Sequence, residues 1–279
     1  METIDISKLN HARPIRVGRV VSAAFLLLAA GYIVYAFAVG TIDWPVVGEY
    51  LFTPRILKGA VTTVWISIAS MAIGIVVGTL TAIARASRNV VLNSAAMFYA
   101  WLFRGAPMIL QLLIWYNLAL VFPTIGIPGI WEAKTVAVMS PLLATLIALS
   151  LNQGAYTSEI IRSGMLAVDA GQYEAAKSIG MTYPDTLRRI ILPQAMRVVV
   201  PPLGNEFIGL LKTSALASII GFGELLGTVQ DIYYTNTKIM EMLFVATIWY
   251  LVIVSLLSVL QIQLEKRFAR GFANGGRHG

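Results

Sequence analysis

Two sets of polar and ionisable residues lie inside long apolar runs, where a charge costs about 2.5–3.5 kcal/mol on insertion scales. In the first, Asn152, Tyr156, Glu159 and Ser163 recur at helical spacing and share one face of a helix. In the second, Asn205, Gly209 and Lys212 share a face, with Glu206 beside it. A carboxylate there can accept an ammonium group, and an ammonium can meet a carboxylate. This is chemistry for holding a polar solute rather than for making bonds. Structural readings stand beside it: Glu159 pairs with Arg162 one turn on, and Lys212 neutralises Glu159 or Glu206. Arg104, in the run FRGAP, either holds a broken helix through carbonyls or lines a path. Gln111, one turn into the next helix, is a pore-lining candidate, whereas Trp115–Tyr116 and Trp249–Tyr250 read as interfacial or packing residues.

Covalent catalysis has little to work with. The chain has no cysteine, so thiol chemistry, disulfides and Cys-ligated metals are excluded. Its two histidines, His11 and His278, lie near opposite ends, and no metal site is expected. No GxxxxGK[ST] run is present to cradle ATP phosphates, and GFGELLG at 221–227 lacks the lysine. A membrane enzyme would need a constellation that is missing, so no catalytic residue is expected.

The elements that must position these residues are membrane helices. The chain is 57% hydrophobic and 13% charged, against roughly 25% charged in ordinary globular domains. That much apolar surface cannot be hidden in one soluble core, which predicts an all-α, polytopic membrane protein. The net charge of +7 is read as Lys/Arg biased to one side of a membrane rather than as a nucleic-acid footprint.

A polar, basic tail at 1–19 precedes a charge-free run at 20–40, long enough to cross about 30 Å of hydrocarbon and too long for a signal-peptide core. A loop at 41–56 with Trp44 and Tyr50 fits an interface. A second span follows at 57–84, with small residues suited to close helix contact. The apolar region 90–122 is cut at Arg104–Pro107, which predicts a membrane-approaching helix, a break and a span from about 107 to 122. FPTIGIPGIWEAK is a loop. A fourth span covers about 135–160, a fifth begins after Pro201–Pro202 and ends near Gly221–Gly223, and a polar stretch at 221–242 leads to the last span at about 243–263.

Six spans place both termini on one side. That side collects Lys8, Arg13, Arg16, Arg19, Arg85, Arg88, Arg162, Lys177, Arg188, Arg189, Arg197, Lys266, Arg267, Arg270 and Arg277. The opposite loops hold Arg55, Lys58, Lys134 and Lys238. The first side is therefore cytoplasmic, and so is the helix-forming segment EAAKSIGMTYPDTLRRIILP at 174–193.

That segment carries a resemblance. Glu174-Ala175-Ala176, three residues, Gly180, nine residues, Ile190, one residue and Leu192-Pro193 together match the EAA loop of bacterial ABC importer permeases. Its flanks, FRGAPMILQLLIWYN, NQGAYTSEIIRSGMLAVDAGQYEAAKSIGM and PPLGNEFIGLLKTSALASIIG, look like the polar amino-acid uptake permeases, and the likeness covers about 55–270. The resemblance implies a type I ABC importer permease fold: a five-span core at 55–265 with a cytoplasmic coupling loop at 164–200. The span at 20–40 is an addition, and the tail 266–279 is cytoplasmic.

What the resemblance implies for function follows. Glu174, Ala175, Ala176, Gly180, Leu192 and Pro193 would couple to a separate ATPase that binds ATP and Mg, with no cofactor in this chain. The two alanines would allow close approach, Glu174 would meet a basic residue, Gly180 would turn the backbone between short helices, and Pro193 would end or kink the second. Asn152, Tyr156, Glu159, Asn205 and Lys212 would contact a polar amino acid or a derivative such as an opine. An external solute-binding protein would dock on the loops at 41–56, 122–135 and 221–242, and a second permease chain, identical or paralogous, would complete the path in a bacterial plasma membrane. The family that the chain resembles usually reads LLKDTSL where this chain has LLKTSAL, with Thr213 in place of the acid, so a charge pairing implied by the resemblance does not carry over at that position. The competing class is a self-contained, ion-coupled secondary transporter using Glu159.

Overall fold

The computed structural model describes residues 17–127 and 129–269. The outer parts of both expected tails, with His11 and His278, lie outside the described residues. Residues up to Pro45 form a unit of their own. In it, α1 (Val17–Val39) is a helix of 23 residues, falling on the expected N-terminal span.

A short α2 (Trp44–Leu51) begins at the last two residues of that unit; in the second unit α3 (Pro54–Ala86) opens on a proline in its first turn, where a missing N–H costs nothing. Asn89 caps α4 (Val90–Gly105) by accepting from the Val91 and Leu92 amides. After the break at Ala106–Pro107 the chain continues as α5 (Met108–Tyr116), bent by 104° from α4. Nine residues reach only about 14 Å, too short for the span expected over 107–122. The region from 90 to 116 is one broken element instead, and a 3-10 turn at Leu118–Leu120 follows it.

The Pro/Gly-rich loop is an antiparallel hairpin, β1 (Thr124–Ile127) with β2 (Trp131–Lys134), pairing Thr124 with Lys134 and Ile127 with Trp131. After α6 (Thr135–Val138), α7 (Pro141–Leu166) starts at the cap Ser140, later than the expected 135. Then come α8 (Ala170–Ser178), α9 (Tyr183–Thr186), a π turn at Leu187–Ile191, α10 (Leu192–Thr213), a 3-10 turn at Ser214–Ile220, α11 (Leu225–Asn236) and α12 (Ile239–Ala269).

The penultimate element differs from expectation. It does not begin after Pro201–Pro202 but runs helically from Tyr183, with both prolines inside α10. Nor does Pro193 end it. A proline ring clashes with the carbonyl four residues back, and the wider π turn just before Pro193 relieves that clash while the chain stays helical.

Among the described residues, α1, α3 and α12 are long and apolar enough to cross a membrane. The pair α4–α5 and the pair formed by Tyr183–Ile220 with α11 pass the same test as bent elements. At 26 residues α7 is long enough but too polar to pass, because its Asn152–Glu159 stretch faces the protein. It is the central element: Gly78 of α3 lies so close that a Cβ there would sit 2.6 Å from Thr157 Cβ. The buried side chains around it (Ile66, Leu149, Leu210, Ala217 and Phe222) join α3, α7 and α10. A second core of Ile56, Leu225, Val229, Met242 and Val245 joins α3, α11 and α12. Outward faces of α4 and α12 present Phe98, Trp101, Leu251 and Leu256, as a lipid-facing surface does.

Candidate functional site

A cavity of about 390 Å³ opens where the α4–α5 break meets α7 and α10. The break itself is built by side chains that satisfy the carbonyls a helix end leaves bare. Gln111 Nε2 donates to Phe103 O and Ala106 O, both at 2.9 Å, and Asn152 Nδ2 donates to Phe103 O at 2.8 Å. The roles weighed for the break are therefore divided. Gln111 is buried and holds the carbonyls; Arg104 lines the cavity, with its guanidinium carbon 5.5 Å from the centre of the Tyr156 ring.

From α7, Asn152, Gln153 and Tyr156 line the cavity. Glu159 does not. Its carboxylate accepts from Arg85, lies 3.1 Å from Arg104 Nη1 and accepts from Arg162 Nε at 3.0 Å. The ion pair with Arg162 is thus one arm of a four-residue cluster, three guanidiniums around one carboxylate, with both oxygens engaged. Glu159 meets the cavity through Arg104 rather than directly.

From α10, the lining residues are Glu206, Gly209, Leu210 and Thr213, at helical intervals. Asn205 and Lys212 are exposed on another side of α10 and do not line the cavity. The sequence puts Gly209 on the face of Asn205 and Lys212; the structure puts it with Glu206 and Thr213. Thr213 donates its hydroxyl back to Gly209 O at 3.0 Å. Glu206 shares the cavity wall with Gln153 and Arg104. The cavity therefore holds one fixed cation and one carboxylate.

A carboxylate that sequence reasoning passed over lies outside this cavity. Glu224, fully buried, caps α11 by accepting from Gly227 N at 2.8 Å, and accepts from Tyr250 Oη at 2.7 Å and Thr63 Oγ1 at 3.2 Å. It joins α3, α11 and α12. An acid inside the glycine-rich run at 221–227 was the available signal, but its partners lie far away in the chain.

At the other end of α7, Asp169 caps α8 through Gly171 N at 2.7 Å. Helix α8 carries Glu174 and Ala175 exposed and Ala176 fully buried. Of the two alanines expected to admit a partner, only Ala175 faces outward, because Ala176 is on the side of α8 that packs inward. Gly180, at φ +73°, ends the helix: Gly180 N donates to Lys177 O and Met181 N to Ala176 O, both at 3.0 Å. Thr182 then starts α9 by accepting from Asp185 N. Ile179 and Tyr183, in the same segment as Glu174, are also exposed. Burial first, and then the neighbouring Tyr183, push the Tyr173 phenol above its ordinary value. Leu192 and Pro193 are exposed, while Ile191 is buried against Val168 and Ala195.

The family model described as "Binding-protein-dependent transport system inner membrane component" matches residues 74–270. The arginine transport system permease protein ArgU of Corynebacterium glutamicum is 42% identical over 265 residues, 94% of this chain and 84% of that protein. The L-cystine transport system permease protein TcyB of Bacillus subtilis is 38% identical, over 84% of this chain and 95% of that one. A crystal structure of an amino acid ABC transporter with histidines superposes with a TM-score of 0.71 at 34% identity, covering 82% of this chain and all of that one.

Proposed function

The chain belongs to the family of binding-protein-dependent transport system inner membrane components, and from that premise we infer that it carries a polar amino acid through the membrane. It is a permease subunit of an ABC importer; the substrate class is the inference. The observation that carries it is the presence of both Arg104 and Glu206 on the walls of one cavity of about 390 Å³. An α-amino acid is a zwitterion, and a site with one fixed cation and one carboxylate offers each end a counter-charge. The relatives named above bear the names of arginine and cystine systems, which supports the same class.

The other parts follow from the family. ATPase subunits bind ATP and Mg and dock on the segment at 164–200, with Glu174, Ala175, Ala176, Gly180, Leu192 and Pro193 as its coupling residues. An external solute-binding protein delivers the substrate, and a second permease chain completes the path. The core spans 55–265, α1 is an added span, and both termini are cytoplasmic. Closure of the ATPase dimer drives the coupling segment, the bundle opens outward, and hydrolysis resets it. This chain itself catalyses no covalent step. Asn152 and Tyr156 belong to the substrate site, and Glu159 acts there by holding Arg104. Asn205 and Lys212 contribute from the exposed side of α10. The ion-coupled alternative draws no support from these relatives.

The test is reconstitution. The chain, coexpressed with an ATPase subunit and a binding protein of one importer, is purified and placed in liposomes. ATP-dependent uptake of a labelled polar amino acid, abolished without the ATPase, is the expected result. Failure of the chain to bring down the ATPase, or uptake driven by an ion gradient alone, would overturn the reading.

A further inference from the structure

Helix α10 connects the two ends of the molecule that matter for transport. Upstream it continues through the π turn into α9 and the coupling segment; downstream it presents Glu206, Gly209 and Thr213 to the cavity. Between them lie Pro201 and Pro202, which remove two backbone donors from the helix interior and leave the carbonyls of Arg197 and Val198 without their usual partners. Sharp changes in helix direction concentrate at prolines. This turn is where the interior of α10, past its first turn, loses ladder hydrogen bonds to proline.

One side chain of a different helix is seated there. Gln261 of α12 is buried, and its Nε2 donates to Pro201 O at 2.7 Å and to Glu265 Oε1 at 2.9 Å. Its amide lies directly over Gly204: a Cβ built on Gly204 would fall 1.6 Å from Gln261 Oε1 and 2.4 Å from its Cδ. The contact therefore requires glycine at 204 and a long amide at 261. Gln261 stands where the apolar run of α12 gives way to polar residues (Gln263, Glu265 and Lys266 follow), and its amide is turned onto the proline turn rather than left to water.

We propose that Gln261 is a positioning residue, clamping the proline-weakened turn of α10 and fixing where Glu206, Gly209 and Thr213 stand relative to the coupling segment. Its consequence for transport rests on the importer reading; the clamp itself does not. Movement delivered to α9 reaches the cavity as displacement of a stiff rod only while the turn is held. With the clamp gone, the turn absorbs it.

The chain has no cysteine, so paired labels can be placed freely. Spin labels at Arg188→Cys, before the proline turn, and Ile83→Cys, on α3, report the swing of the upstream arm in the full chain in lipid. Arg188 is about 20 Å along the helix from Pro201, so a 10° change moves it by roughly 3–4 Å. Gly204→Ala evicts the amide from one side and Gln261→Leu removes it from the other. Each is expected to shift or broaden the distance distribution by about that amount, and the double variant to add nothing further, since both act on one contact. Gln261→Glu, equal in size but without the donor, is expected to behave like Gln261→Leu. Unchanged distances in both single variants, or additive shifts in the double, would overturn the proposal. In reconstituted complexes the single variants are expected to lower uptake per ATP hydrolysed several-fold with the ATPase still bound. An unchanged ratio would overturn the coupling role, and loss of ATPase copurification by the unsubstituted chain would instead sink the importer reading.

Discussion

Glu159 holds Arg104 at 3.1 Å across the gap between α7 and the α4–α5 break. The same carboxylate takes Arg85 from the end of α3 and Arg162 from its own helix, so one acid gathers three elements and presents one of its three cations to the cavity. Removing its charge leaves three guanidiniums facing one another. Arg104 and Arg162 are partly exposed and screened, whereas Arg85 is largely enclosed. Glu159→Gln is expected to cost about 1–3 kcal/mol of stability and to loosen Arg104, weakening or redirecting substrate selection while ATPase docking stays intact. Thermal unfolding of the purified chain and competition uptake with different amino acids check both halves. An unchanged substrate preference would leave Glu159 with a structural role alone.

The two charges of the cavity can be separated. Arg104→Gln removes the group offered to a carboxylate and Glu206→Gln the group offered to an ammonium. Each is expected to lower uptake at limiting substrate by about tenfold or more, the scale of one charge-assisted hydrogen bond of about 1.5–3 kcal/mol. Lys212→Gln, exposed on the other side of α10, is expected to do less in a single chain's cavity. Concentration dependence of uptake in proteoliposomes distinguishes them. If Lys212→Gln proved the more damaging, the site would lie on the exposed side of α10.

Much of this arrangement is written locally in the sequence. The turn between the short helices at 174–193 is legible because its signal is short-range: Gly180, expected to turn the backbone, has the positive φ of the segment, while the caps Asp169 and Thr182 emerge only in the structure. The break at Arg104–Pro107 is equally local. What was not legible depends on partners far apart in the chain. The lining face of α10 is set by packing against α7, which turns Glu206 inward and Lys212 outward, though helical spacing alone allows either. Prolines 193, 201 and 202 read as boundaries, yet the helix runs through them, past a π turn before Pro193 and with Gln261 Nε2 seated on Pro201 O.

Glu174→Ala is the test of the docking surface. Glu174 is exposed on α8, where a free acid suits a basic residue on a partner's rim. Alanine favours the helix, so α8 itself keeps its fold. Uptake and binding-protein-stimulated ATP hydrolysis are expected to fall together, with substrate binding to the external protein unchanged. Normal uptake would remove Glu174 from the coupling contact.

Glu224 gives a prediction about stability rather than transport. Three donors, Thr63 Oγ1, Tyr250 Oη and Gly227 N, converge on its carboxylate, and Leu225 N donates to Thr63 Oγ1 at 3.0 Å in the same buried place. Glu224→Leu leaves Tyr250 Oη and Gly227 N facing apolar surroundings, the latter being the cap of α11, at about 1–3 kcal/mol for each group that finds no substitute, whereas Thr63 Oγ1 keeps Gly59 O at 3.1 Å. Glu224→Gln keeps an acceptor oxygen of the same reach and is expected to lose far less. The order of thermal midpoints should be unsubstituted chain, then Gln, then Leu, with a wide gap before Leu. A Tyr250→Phe variant should narrow the difference between Glu224→Leu and the unsubstituted background, because one orphaned donor is already gone. Equal damage from Gln and Leu would mean that the negative charge itself, rather than the set of acceptors, holds α3, α11 and α12 together.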